Sequence, residues 1–283
     1  MKISVASGKG GVGKTTVAVA LADVLVSSKN VNVLFLDCDV EEPNSYFFIK
    51  PQITQKIPIY TQIPQVDKNK CNFCAKCSKI CAYNAIAVVK TEVLIFDNLC
   101  HGCGACSFFC PQKAIKEVNK EIGFIEIGEK ENLKFIHGKL KIGQAIPTPL
   151  IKAVKSYING FDFTIIDAPP GANCSVVESV KNTDFCIVVT EPTPFGLSDM
   201  IQLTQLLKRL GIKFGVIINK ENLGDERVEK FCKENDIPIL LKIPFLREVS
   251  FQSAKGQILT KILPEYKREF DKVIERIKVL NSN

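Results

Sequence analysis

Nowhere in these 283 residues does an uncharged apolar run reach the roughly 18–20 residues that a membrane helix needs. That excludes a helical membrane span. There is also no block of Lys and Arg interleaved with aromatics, so the net charge of +7 reads as a lysine-rich solvated surface, not as a nucleic-acid face. Met1 to Ala6 reads as a strand running straight into a glycine-rich loop, so these residues are not expected to be a cleaved signal peptide, whose removal would destroy the loop. A cytoplasmic protein is the expectation. In a reducing compartment, the 12 cysteines argue for metal ligation and against disulfides. Apolar residues make up 46% of the chain, enough to build the core of one large domain or two small ones.

Residues 8–16 read Gly-Lys-Gly-Gly-Val-Gly-Lys-Thr-Thr. Gly8, Gly13, Lys14 and Thr15 satisfy the phosphate-loop pattern G-x-x-x-x-G-K-[ST]. Gly10, Gly11, Val12 and Gly13 would bring backbone N–H groups onto phosphate oxygens, aided by the following helix N-terminus. Lys14 should bridge the β- and γ-phosphates, Thr15 should ligate Mg²⁺, and Thr16 should meet the α-phosphate. Lys9 is additional to the pattern. Its position predicts a side chain reaching away from its own nucleotide, toward a site completed by a second subunit. Asp37 and Asp39 end one strand and Asp167 ends another. Alternate residues of an extended segment point to opposite sides, so Asp37 and Asp39 should differ in role. One can face Mg²⁺ with Asp167 while the other positions the attacking water.

Strand and helix patterns alternate through residues 1–63 and again through 122–283, which predicts a doubly wound, mostly parallel α/β sheet. Expected strands include Phe163 to Asp167, Phe185 to Val189, Phe214 to Ile218 and Ile237 to Ile243. Ile57 to Ile63 reads as a proline-punctuated connection. Phe124 to Ile127 and Phe135 to Ile142 read as short strands with a turn near Gly138. The closing stripe of Phe270, Val273, Ile274, Ile277 and Leu280 reads as a helix packed on the sheet.

Residues 64–121 read as an inserted small α+β module, because cysteines there follow C-x₂-C-x₂-C-x₃-C twice. That run is the ligand pattern of bacterial two-cluster ferredoxins, in which the fourth cysteine serves the other cluster. Cys71, Cys74, Cys77 and Cys110 are therefore assigned to one [4Fe–4S] cluster, and Cys100, Cys103, Cys106 and Cys81 to a second. Pro111 matches the pattern; Ala82 replaces its first proline. Two zinc knuckles are the competing reading, but zinc sites seldom use doubled triplets. Cys38, Cys186 and Cys232 read as core thiols. Cys174, seven residues after Asp167, reads as a thiol in the turn.

Lys9 to Thr16, Asp37-x-Asp39, Asp167-Ala168-Pro169-Pro170-Gly171 and Asn219-Lys220 together resemble the MinD/ParA-type ATPases, a group that also includes the nitrogenase iron protein. The resemblance covers about residues 1–60 and 124–283. It implies ATP held between two subunits, Lys9 contacting the partner's ATP, and Asp39 orienting or activating water. It also implies that Asn219 reads adenine and that Pro244 lines the base, although Asn219 equally suits a plain turn, and the likeness to the nitrogenase iron protein implies an alternative role for Cys174 as a cluster ligand near the dimer interface. The expected protein is an ATP-hydrolysing dimeric switch, as a homodimer or with a related ATPase, coupled to electron transfer through two clusters. Alternatives are an iron–sulfur carrier with ATP-regulated hand-off to an apo-protein client, and a positioning switch with redox-sensing clusters.

Overall fold

A computed structural model describes residues 1–28 and 31–282. Its strands are β1 (Lys2–Ala6), β2 (Val33–Asp37), β3 (Gln52–Val66), β4 (Ile86–Val89), β5 (Glu92–Ile95) and β6 (Ile115–Lys130). They continue with β7 (Leu133–Leu140), β8 (Phe163–Asp167), β9 (Phe185–Thr190), β10 (Phe214–Asn219) and β11 (Ile239–Ile243). Nine of them form one sheet in the order β11-β10-β9-β1-β8-β2-β7-β6-β3. Neighbours from β11 to β7 are parallel; β6 and β3 are antiparallel additions at one edge.

Side chains alternate across the strands, so both faces are buried. Ile3, Val5, Phe35 and Ile165 pack on one face with the helices Lys14–Val26 and Tyr266–Ser282. Leu36 and Ile166 pack on the other with the helix Thr148–Lys155, and Cys186 and Val188 with Pro194–Arg209. Phe270, Val273, Ile274 and Ile277 of the closing helix are buried, so its stripe does pack on the sheet. No described helix is long and apolar enough to cross a membrane.

Two local expectations need correction. Ile57 to Ile63 is not a connection between elements but the middle of β3, which pairs with β6 from Gln52↔Glu129 to Val66↔Ile115. Pro58 and Pro64 are tolerated because β3 is the edge strand and has a neighbour on one side only. The turn is not at Gly138 either. It lies at residues 131–132, where Glu131 has φ 55°. Gly138 sits inside β7 because a Cβ there would come within 2.7 Å of Val40 and 3.0 Å of Val154. The glycine serves close packing of strand on helix.

β6 pairs with β7 only from Gly123 onward. Beyond that point β3 and β6 leave the sheet as a two-stranded ribbon that carries the cysteine module. β3 and β6 continue through both expected boundaries, 63/64 and 121/122, with a register shift between Ile59 and Tyr60 that leaves Ile122 without a partner on β3.

Candidate nucleotide site and cysteine module

The glycine loop lies between β1 and the helix Lys14–Val26, at the carboxyl ends of the parallel strands. Gly13 caps that helix in the left-handed region, φ 91°. A Cβ there would also come within 2.3 Å of Asn219 Nδ2. Asn219 Nδ2 donates to the Val12 carbonyl at 2.8 Å, and Lys220 Nζ donates to the Gly11 carbonyl at 3.1 Å. Thus the end of β10 braces the loop from below. An open cleft of about 490 Å³ is lined by Gly11, Lys14, Thr15, Thr16, Asp39 and Phe47 among others. Asn219 and Pro244 are not among its lining residues.

Lys14 is buried, with Nζ 2.5 Å from Asp167 Oδ1 and 3.9 Å from Asp39 Oδ2. Burial opposes its charge, but Asp167 and then Asp39 outweigh that, and its pKa is raised. Asp37 is fully buried and accepts from the Ser45 hydroxyl, from Ser45 N at 3.1 Å and from Asp39 N at 3.1 Å. Burial, then the neighbouring Asp167 charge, pushes Asp37 up to about 7. Burial likewise pushes Asp39 up to about 6, against the pull of Lys14. Asp167 Oδ2 is buried without a hydrogen-bond partner. Buried carboxylates, one with an orphaned oxygen, and Thr15 on the adjoining cleft supply hard oxygen donors, which fit Mg²⁺.

Lys9 is held by its own chain. Its ammonium pairs with Glu191, which also meets Lys220 at 3.3 Å. Sequence reasoning missed Glu191; the available signal was an acid one residue beyond β9. It also missed Ser45, whose helix Ser45–Ile49 is too short to show periodicity.

A second missed group joins this site to β6, the strand that continues into the ribbon. His137 is the strand neighbour of Asp37 across β2 and β7. Its Nε2 lies 2.8 Å from Glu126 on β6, and its ring stacks on Tyr46, centroids 5.8 Å apart. Burial lowers the His137 pKa in spite of Glu126, so the neutral ring donates from Nε2. Lys56 on β3 completes the group at 3.3 Å from Glu126.

The cysteine module repeats itself at an offset of 29 residues. Phe73 and Gly102, Ala75 and Gly104, and Asn84 and Lys113 all adopt positive φ. The Ala85 N–H donates to Cys81 Sγ at 3.3 Å, and the Ala114 N–H to Cys110 Sγ at 3.3 Å. One cavity is lined by Cys71, Cys74, Cys77 and Cys110, the other by Cys81, Cys100, Cys103 and Cys106. Each fourth cysteine thus stands with the other repeat's triplet. Among the described residues no three His, Cys, Asp or Glu side chains form a site for a single metal ion. Four thiols ringing a cavity suit a polynuclear core, which fits an iron–sulfur cube. His101 is exposed and stacks on Tyr83 at 3.7 Å. Cys38, Cys186 and Cys232 are buried; Cys174 is exposed at the start of a helix and joins neither set.

The family described as the CobQ/CobB/MinD/ParA nucleotide binding domain matches residues 3–259. The chain belongs to this family. It is a P-loop ATPase of MinD/ParA type. An uncharacterized protein of Methanocaldococcus jannaschii is 34% identical over 229 residues, 80% of each chain. An iron-sulfur cluster carrier protein of the same organism is 26% identical over 98% of this chain and 83% of its own. In fold, the ATPase is similar to the septum site-determining protein MinD of Pyrococcus horikoshii, solved with Mg-ADP. The TM-score is 0.62 at 21% identity, over 98% of this chain and 95% of that one.

Proposed function

We propose that this ATPase is a dimeric switch whose nucleotide state is coupled to electron transfer through two [4Fe–4S] clusters. The observation that carries the reading is the crossed grouping of eight cysteines around two cavities. Such a module encloses each cluster with ligands from both repeats, which favours retention over release.

The glycine loop binds phosphate oxygens, and Lys14 exchanges Asp167 for the β- and γ-phosphates. Thr15, Asp37 and Asp167 would hold Mg²⁺, which when bound supplies positive charge against the phosphates. Asp39, next to Lys14 at the cleft, orients or activates the attacking water. Lys9 leaves Glu191 for the nucleotide of the second subunit. Cys71, Cys74, Cys77 and Cys110 would hold one cluster, and Cys81, Cys100, Cys103 and Cys106 the other; when bound they supply one-electron chemistry. Glu126 and His137 tie β6, which continues into the ribbon, to the strand beside Asp37, and movement around Asp37 is felt there.

The second reading is ATP-regulated cluster hand-off to an apo-protein, supported by the name of the carrier relative. Anaerobic turnover separates the two. Clusters that stay bound while low-potential electrons leave support electron transfer; iron that moves to an apo-protein during ATP hydrolysis supports carriage and overturns the first reading.

A further inference from the structure

The two repeats of the cysteine module share a backbone but not a surface. Residues 67–80 carry Lys68, Lys70, Lys76 and Lys79 against Asp67, a net +3, whereas the equivalent residues 96–109 carry Asp97 alone, a net −1. At the offset of 29, Lys68 answers to Asp97, Lys76 to Ala105 and Lys79 to Phe108. Lys70 pairs with Asp67 at 3.7 Å. Lys68, Lys76 and Lys79, and Lys113 beyond Cys110, are exposed and have no ion-pair partner among the described residues.

The cavities also differ in place. The one lined by Cys81 and Cys100 lies along the ribbon beside Pro64 and Glu117. Its loop packs on β3, for a Cβ at Gly102 would come within 2.8 Å of the Gln62 carbonyl. The other is lined by Val66 and Ile115, the last ribbon pair and the one farthest from the sheet, together with Lys76. Its Cys74 is exposed. Phe108 and Phe109 lead directly into its Cys110; they are 83% and 54% exposed and meet edge to face at 5.0 Å.

We propose that this outer end of the module, which bears exposed Cys74, Phe108 and Phe109 and the exposed lysines Lys68, Lys76, Lys79 and Lys113, docks the acidic surface of a redox protein. Unpaired lysines together with exposed aromatics are the complement of an acidic protein surface, in which charges steer encounter and an aromatic anchor holds the complex. Of the two triplet segments only 67–80 is basic, and Lys113 adds to it beside Cys110, so the asymmetry gives the module a direction, with the inner cysteine set toward the ATPase and the outer set toward the partner. The inference rests on the cluster reading above.

The test uses anaerobically reconstituted full-length protein and an acidic flavodoxin as probe, with basic cytochrome c as its opposite. Calorimetry should show flavodoxin binding that weakens with salt. Lys76→Glu with Lys79→Glu should weaken it by about tenfold or more. Lys272→Glu with Lys278→Glu, the same charge change on the closing helix, should not. Iron content and cluster potential are measured on every variant. No flavodoxin binding at low salt, or equal binding by both double variants with iron retained, overturns the docking face and leaves the cluster reading standing. A potential shift without a change in binding assigns the lysines to balancing cluster charge and also overturns it. Tighter binding of single-stranded oligonucleotide or anionic phospholipid vesicles at these lysines would reassign the face. Parent protein that takes up no iron removes the cluster reading itself.

Discussion

His137 and Glu126 are paired at 2.8 Å across β7 and β6. One is the register neighbour of Asp37 and the other lies on the strand that enters the cysteine module. His137 is 5% exposed and its Nδ1 has no partner. A buried polar group held by one bond is sensitive to small shifts of its neighbours.

The pair is therefore expected to carry the coupling between modules. A coupling of about 1–3 kcal/mol would be typical, and about 60 mV in a one-electron potential corresponds to tenfold. His137→Gln and Glu126→Gln should keep nucleotide affinity and iron, yet lose most of the potential shift caused by a non-hydrolysable ATP analogue. Anaerobic potentiometry with and without the analogue decides this. A parent-sized shift in both variants would remove the pair from the route; no shift in the parent would remove the coupling.

The second prediction concerns the two loop lysines. Lys14→Ala should abolish tight Mg·ATP binding and lower hydrolysis by about 100-fold or more, since it removes a charge aimed at the phosphates. Lys9→Ala should leave binding largely intact and reduce hydrolysis and ATP-induced dimerisation. Glu191→Gln should do the reverse of Lys9→Ala, because it removes the intrachain partner that Lys9 must leave. Asp39→Ala should accumulate an ATP-bound dimer. Sedimentation with ATP and steady-state hydrolysis check all four. Full hydrolysis by Lys9→Ala at monomeric concentration would contradict the two-subunit site.

Much of this site was legible because its chemistry is local in sequence. The phosphate loop, the strand-end aspartates and the doubled cysteine run each occupy a few residues of fixed spacing. Glu191, Ser45, His137 and Glu126 were not legible, because each acts on a partner that is distant in sequence and carries no motif of its own. The parallel sheet could be read from strand–helix alternation. The ribbon could not, since β3 has prolines, glutamines and a lysine at positions where a buried strand would have apolar residues. Gly138 misled for a related reason: a glycine for close packing and a glycine for a turn look alike until the neighbouring Val40 and Val154 are placed.

A third expectation follows from the acids. Asp37 and Asp39, raised to about 7 and about 6, bind protons more tightly folded than unfolded. The stability they contribute is complete below the unfolded value of 3.8 and is lost as pH rises toward their folded values. Without nucleotide, Tm should fall between about pH 4 and pH 7 from this cause. Mg·ADP engages the charged forms, so its stabilisation should grow over the same window. Asp37→Asn should flatten both trends. Thermal scans in matched buffers test it, and a Mg·ADP gap that narrows with rising pH would count against the carboxylates as Mg²⁺ ligands.

The fourth prediction reads the crossed cysteines directly. The parent should hold about eight iron atoms per chain after anaerobic reconstitution, and any one ligand substitution should leave about four or a damaged cluster beside an intact one. Crossing makes a specific demand. Cys77→Ser and Cys110→Ser, 33 positions apart, should spare the same cluster and give the same residual paramagnetic signal. Cys106→Ser, only four positions from Cys110, should share its signal with Cys81→Ser instead. Each pairing follows the lining of one cavity and contradicts proximity in sequence. Signals that group Cys110 with Cys106, and Cys81 with Cys77, would mean that each repeat folds around its own cluster, and the two-cluster ferredoxin reading of this module would fail.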